Sequence, residues 1–417
     1  MLNKEGHKLA QQLEVEAHLF GKHSKFFQYV AENHVGVEGS LSHEAQIKAI
    51  KRKGFASWVY LCTDDGNDRA FQDGYSAILP HIPNAVHFPV TLATLTYSLA
   101  EEALETIKTL PEPILIQCTS SARASAVAAM YWAVQNDWDA ETTLKFCSES
   151  NLPHTETPKL VHWVIATVTR YQTWKEPELI FRQLTCPDSG HFTYIIGDPE
   201  SGEAVVVDGR PGRGGRTARL LSELGLVCAW AAATAADPAR LRGLRELQRA
   251  FPSARAVYCQ GVLGDGSGHR PPNADGHRED DAQARRGDRL GFGRRFLRVE
   301  PTPGRTLRSC CFLLDDYSKL FSGETFLVRA IGRLDQADSK CSFLYSSIQN
   351  FLVNLPNDTM IFPSTPTDGM NWTSVDEEVK YNPLISLPET HFEDAISQKA
   401  TSMQHGIAAV AEEEDDL

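Results

Sequence analysis

The stretch Ile114 to Ala126, ILIQCTSSARASA, sets Cys118 at the end of an apolar run and Arg123 five residues on, ahead of an Ala-rich segment. Strand, short loop and helix in that order aim backbone N–H groups and a helix dipole at one spot. Together with a guanidinium, they favour thiolate over thiol, the condition a nucleophilic cysteine needs. The plainer reading is a small buried cysteine beside a surface cation, because free cysteine is among the most buried residue types. Asp64 and Asp65 could supply an acid, but DDGND is ordinary turn composition and a turn is favoured.

The elements that would position this pair read as an α/β unit. Residues 1–35 have Leu9, Leu13 and Phe20 at roughly helical spacing, and SLSHEAQIKAIKRKGF reads as a helix capped by Ser42 and ended by Gly54. Ser57 to Cys62, Asn84 to Val90 and Pro113 to Gln117 are predicted strands. Ala100 to Thr109, Ser121 to Val134 and Pro158 to Trp174 are predicted helices. A second unit begins near Leu179, where Phe192–Ile196 and Ala204–Val207 flank the turn-rich GDPESGE as a hairpin. A helix from Thr217 to Leu224 follows, then strands alternating with helices through Val257, Phe296 to Val299, Cys311 to Leu314 and Leu320. The Gly/Pro/charge-rich stretch 261–286 reads as a mobile inserted loop, and the terminal EEEDDL as part of a solvated tail over 391–417.

The C-TSSA-R loop, with GSLSHEAQIKAIKRKGFASWVYL and HFPV upstream, resembles the β-lactamase-hydrolase-like phosphatase domain, a relative of dual-specificity phosphatases, over roughly residues 36–175. That resemblance implies a Cys118 nucleophile and an Arg123 anion holder. Two positions depart from it: Ser121 stands where the family carries glycine, and Ala124 where it carries a hydroxyl, with Ser125 displaced by one. The four-residue spacing is also similar to rhodanese loops, in which cysteine carries a sulfane sulfur.

From Leu179, FRQLTCPDSGHFTYIIGDPESGEAVVVDG resembles the persulfide dioxygenase branch of the metallo-β-lactamase superfamily. LLSELGL, GDRLGFG, VEPTPGRT, KLFSGETFLVRAIGRLDQ, LYSSIQNFLVNLPNDTMIFPS and EEVKYNP follow in order. The resemblance implies an αββα sandwich over 179–390 holding iron or zinc through H-x-H-x-D-H and later His, Asp and His ligands. Here the first motif reads AAATAADPAR: Ala233, Ala235 and Pro238 replace histidines, and only Asp237 keeps a lone pair. The later ligands become Arg305, Glu324 and Thr365. Independently of any alignment, no histidine lies between His191 and His269 or between His277 and His391. Iron or zinc in a nitrogen and oxygen site wants imidazoles, and Arg305 would repel a cation, so no metal cofactor is expected; Asp237 and Glu324 stand as remnants. His269 and His277 sit among glycines and prolines and read as solvated, and His191 reads as structural or surface. In GRLDQ, Arg333 and Asp335 match positions that help hold glutathione in the dioxygenases; a buried pair bracing the fold is the alternative reading.

The overall expectation is an α/β phosphatase-like unit plus a metallo-β-lactamase sandwich. The 417-residue length suits two cores, and a net charge of −13 opposes a nucleic-acid role. The nine scattered cysteines without a CxxC suggest reduced thiols. The N-terminus lacks an apolar signal core and no stretch of about 18 apolar residues occurs. A cytoplasmic protein without membrane contact is the expectation, with mitochondrial location left open. Three functions follow: a metal-free pseudoenzyme binding a thiol, persulfide or other small anion; a Cys118-dependent phosphatase or sulfurtransferase; and a dioxygenase with non-standard ligands.

Overall fold

The computed structural model describes residues 27–28, 56–63, 65, 76, 80, 84–111, 114–118, 122–174, 176–259 and 282–398. The helix expected at Ser42–Gly54, Asp64, residues 119–121 of the Cys118 loop, His269 and His277 lie outside them. The chain divides into two compact units, Met1–Thr173 and Trp174–Leu417.

In the first unit, β1 (Phe27–Gln28), β2 (Ser57–Tyr60), β3 (Asn84–His87) and β4 (Ile114–Gln117) form a parallel sheet in the order β1-β4-β2-β3. Phe27–Gln28 therefore corrects the helical reading of 1–35 at those positions: its backbone is claimed by β4. Strands β2 and β4 are continuous buried runs, as expected where both faces of a parallel sheet are covered. Helix α1 (Tyr97–Thr109) buries Ala100, Ala103, Leu104 and Ile107, one stripe at helical spacing, and the Thr96 hydroxyl caps it by accepting from the Leu99 N–H. Helix α2 (Ala122–Asn136) is buried on nearly every side, so its alanines allow close packing in the core. Helix α3 (Ala140–Glu149), capped by Asp139, carries too few apolar residues to stand out in the sequence; α4 (Pro158–Thr173) closes the unit.

In the second unit, two six-stranded sheets face each other. The first runs β10-β9-β8-β7-β6-β5, with β5 (Ile180–Thr185), β6 (Phe192–Gly197), β7 (Glu203–Val207), β8 (Val227–Ala233), β9 (Arg255–Cys259) and β10 (Ala282–Ala284). The second runs β11-β12-β13-β14-β17-β18, with β11 (Arg289–Phe292), β12 (Arg295–Pro301), β13 (Cys310–Leu314), β14 (Lys319–Gly323), β17 (Met360–Pro363) and β18 (Thr373–Ser374). Strands β15 (Phe326–Leu327) and β16 (Ala330–Ile331) form a small hairpin. Phe192, Tyr194, Val205, Val207, Val299, Phe312, Phe321 and Phe362 fill the space between the sheets. Alternate residues of the first sheet, Ile195, Ala204, Val206 and Ala231, pack with Leu221 of α5 (Gly214–Glu223) and Leu244 and Leu247 of α6 (Pro238–Ala250). Helices α7 (Cys341–Asn350) and α8 (Val375–Tyr381) complete the unit.

Two boundaries need correction. The stretch expected as a mobile loop over 261–286 ends in structure, because Ala282–Ala284 pairs in parallel with Val257–Cys259. The solvated tail does not begin at 391, since residues through 398 are helical and Phe392 is fully buried against the Tyr345 ring. Among the described residues no helix is long and apolar enough to cross a membrane.

Candidate functional site

Four strand ends of the second unit meet at one rim of the sandwich. Strands β7 and β8 are parallel and deliver Asp208 and Thr234; β14 and β17 are parallel and deliver Glu324 and Ser364. Residues just past the carboxyl ends of parallel strands converge this way. The approach is close enough that a Cβ on Gly323, which has φ +61°, would lie 2.3 Å from the Thr234 hydroxyl. Glycine there lets the two sheets touch where the site forms.

Asp208 is fully buried and has φ 55°, unusual for a residue with a Cβ. Its carboxylate accepts from the Thr234 N–H at 2.9 Å, the Thr234 hydroxyl at 2.7 Å and the Ser364 hydroxyl at 2.5 Å. The Arg240 Nε lies 3.1 Å from its Oδ1. Arg240 comes from the first turn of α6, whose N-cap is Asp237; that carboxylate accepts from the Ala239 and Arg240 N–H groups. The Arg240 guanidinium also pairs with Asp237, donates to Glu324 at 2.9 Å and to the Ser364 hydroxyl at 3.0 Å. Its side chain is 2% exposed, so a fixed cation sits among three carboxylates, shut away from water. Arg305 pairs with the other Glu324 oxygen, and the His191 Nε2 stands 3.6 Å from that carboxylate.

Charge balance explains the titration of the cluster. Burial pushes the Asp208 carboxyl up, but the Arg240 charge, the hydrogen bonds from Ser364 and Thr234, and the Arg210 charge outweigh it and hold it below the usual range. Burial likewise raises Glu324, and the neighbouring His191 with the Arg240 and Arg305 charges brings it well below. Burial would favour a neutral Arg240; the charges of Asp208, Asp237 and Glu324 reverse that and keep it protonated. As a whole the cluster can neutralise charge internally and rigidify the rim.

The structure thus brings Asp237, Glu324 and Arg305 together. Ala233 and Ala235 are buried beside them, and Ser364, rather than the neighbouring Thr365, bonds the cluster. Among the described residues, no three His, Cys, Asp or Glu side chains are arranged to hold a metal ion. Arg333 and Asp335 pair with each other at 2.7 Å, but with side chains 70% and 40% exposed they are no buried brace. Sequence reading missed Asp208, Arg240 and Ser364. Two signals were available: an aspartate directly after the AVVV strand, and an arginine three residues after the Asp-Pro start of a helix.

In the first unit, Cys118 follows β4 and is fully buried. Arg123 is also buried, donates to the Val90 carbonyl at 2.6 Å and lines a cavity of about 390 Å³ with Thr63, Thr91 and Thr157. Cys118 is not among that cavity's wall residues. The displaced hydroxyl Ser125 is engaged elsewhere: its oxygen accepts from the His154 N–H at 3.1 Å, lies 3.0 Å from the His154 Nδ1 and donates to the Ala122 carbonyl. Asp65 is exposed, in the turn expected of it.

No protein-family model matches the chain. It is 34% identical to the mitochondrial persulfide dioxygenase ETHE1 of Homo sapiens, and equally to that of Bos taurus, over 209 residues, 50% of this chain and 77% of each relative. The crystal structure of ETHE1 from Myxococcus xanthus is 28% identical and aligns with 52% of this chain and 90% of its own, at a TM-score of 0.46.

Proposed function

The chain belongs to the persulfide dioxygenase family over half its length, with a metallo-β-lactamase-like sandwich, and from that membership we propose that it is a metal-free relative working by binding rather than by oxygen chemistry. The observation that carries this reading is Arg240. Its guanidinium takes the carboxylates that a cation at this rim would need, Asp208, Asp237 and Glu324, and Arg305 adds a second positive charge. The residues present do not fit iron or zinc: the donors are carboxylates already spent on arginine, and the imidazole beside them among the described residues, His191, is itself turned to Glu324. A divalent ion placed here would meet strong repulsion in a poorly solvated site. Protein produced with ample iron and zinc is expected to hold far less than one metal ion per chain by mass spectrometry, and to consume no oxygen with glutathione persulfide. Stoichiometric iron together with persulfide-dependent oxygen uptake would overturn the reading.

A second reading rests on the first unit, where the Arg123 guanidinium lies in a cavity wall at the start of a helix. With Cys118 as nucleophile this would be a phosphatase or a sulfurtransferase. Hydrolysis of an aryl phosphate, or sulfur transfer from thiosulfate, abolished in Cys118→Ser, is the expected result if it holds. Activity unaffected by that substitution would exclude the residue.

A further inference from the structure

On the outer side of the first sheet of the second unit, a cavity of about 680 Å³ lies between β5 and α5, separate from the cavity beside Arg123. Arg210, Arg213, Arg216 and Arg219 all border it. The last three recur every third residue from the N-cap of α5 and so share a face of that helix. Arg213 pairs with Asp188, and Glu223 is the acid in the wall; these offset two of the four cations and leave the wall positively charged.

Arg210 differs from the others. It is 7% exposed, and its Nε and Nη2 are shielded from water without an acceptor. Burial works against its charge, while the rim carboxylates Asp208, Asp237 and Glu324 act on it as they pair with Arg240. An anion in the cavity would add counter-charge beside the Arg210 guanidinium. Leu184 and Leu220 provide apolar wall beside the cations, and the volume lies in the range of small-molecule sites.

We propose that this cavity is a binding site for a small organic phosphate monoester, its dianionic head held by Arg210 and the α5 arginines and its body against Leu184 and Leu220. The positive wall, with guanidinium forks that match phosphate oxygens, favours a phosphate dianion over a monocarboxylate. The site lies on the helix-covered side of the sheet, and Arg210 links it electrostatically to the rim.

Phenyl phosphate is the probe, measured by calorimetry and melting temperature on the full chain, with benzoate as the monoanionic comparison. Phenyl phosphate is expected to raise the melting temperature and to bind at least about tenfold more tightly than benzoate. Arg210→Met is expected to weaken phenyl phosphate binding at least about tenfold. Cys186 lines the same cavity, and its alkylation by iodoacetamide is expected to slow when phenyl phosphate is present, which locates the ligand. The proposal is overturned if phenyl phosphate does not bind, if Arg210→Met binds it equally, or if Cys186 is not protected.

Discussion

Arg240→Met is expected to cost the second unit roughly 3–5 kcal/mol at neutral pH, the penalty of leaving buried carboxylates without their cation. At roughly 2–4 °C per kcal/mol for a unit of this size, the melting temperature should fall by on the order of 10 °C. Methionine matches the arginine stem in bulk, so the loss reads charge more than volume. Acidification gives a second signature. In the parent, Asp208 and Glu324 titrate below their unfolded values, so their contribution is present above the unfolded carboxylate range and is lost as pH falls through the folded values. Without Arg240, Asp208 loses its largest counter-charge and burial drives its folded value upward, while Glu324 keeps Arg305. The variant should then gain stability as pH falls from neutral towards about 4, narrowing its gap to the parent. Differential scanning calorimetry across that range would read both effects. A variant as stable as the parent at pH 7 would show that the cation does not hold the rim together.

The second large effect is expected in the first unit at His154, which is fully buried with its Nε2 unpartnered. Burial pushes the imidazole down from 6.5 to about 4. A histidine held below its unfolded value contributes fully above about 6.5 and loses that contribution as pH falls to about 4. The interval corresponds to roughly 3 kcal/mol at about 1.36 kcal/mol per pH unit. His154→Gln, which keeps a polar group for Ser125, is expected to lack most of this loss. Hydrogen exchange of peptides from 122–173 at pH 7 and pH 4.5 would measure it, and equal acid sensitivity in parent and variant would contradict it. The same contact bears on the cysteine loop: with its oxygen committed to His154, Ser125 is not placed to serve Cys118 as the expected hydroxyl.

Much of the scaffold was legible because its causes are local. The hairpin Phe192–Gly197 with Glu203–Val207 follows from two apolar runs around a turn sequence, and α1 from its buried stripe over Ala100 to Ile107. Helix α3 and strand β5 escaped because each is half polar and is fixed by neighbours: α3 by its packing in the first unit, β5 by six residues paired to β6. The short strand at Ala282–Ala284 is polar-flanked chain whose conformation is set by the free edge of β9.

The sequence by itself determined which residue types stand at Ala233, Ala235, Pro238 and Thr365, because alanine, proline and threonine carry no imidazole wherever they fall. It also determined that Asp237 and Glu324 remained. Only the tertiary structure decided what those carboxylates do. Asp208, Asp237, Arg240, Glu324 and Ser364 are spread over three strand ends and a helix start, and no local pattern encodes that they meet. Their fate depends on distances of about 3 Å across two sheets and on the exclusion of water. In that setting Coulomb attraction is strong enough to bind a guanidinium among three acids.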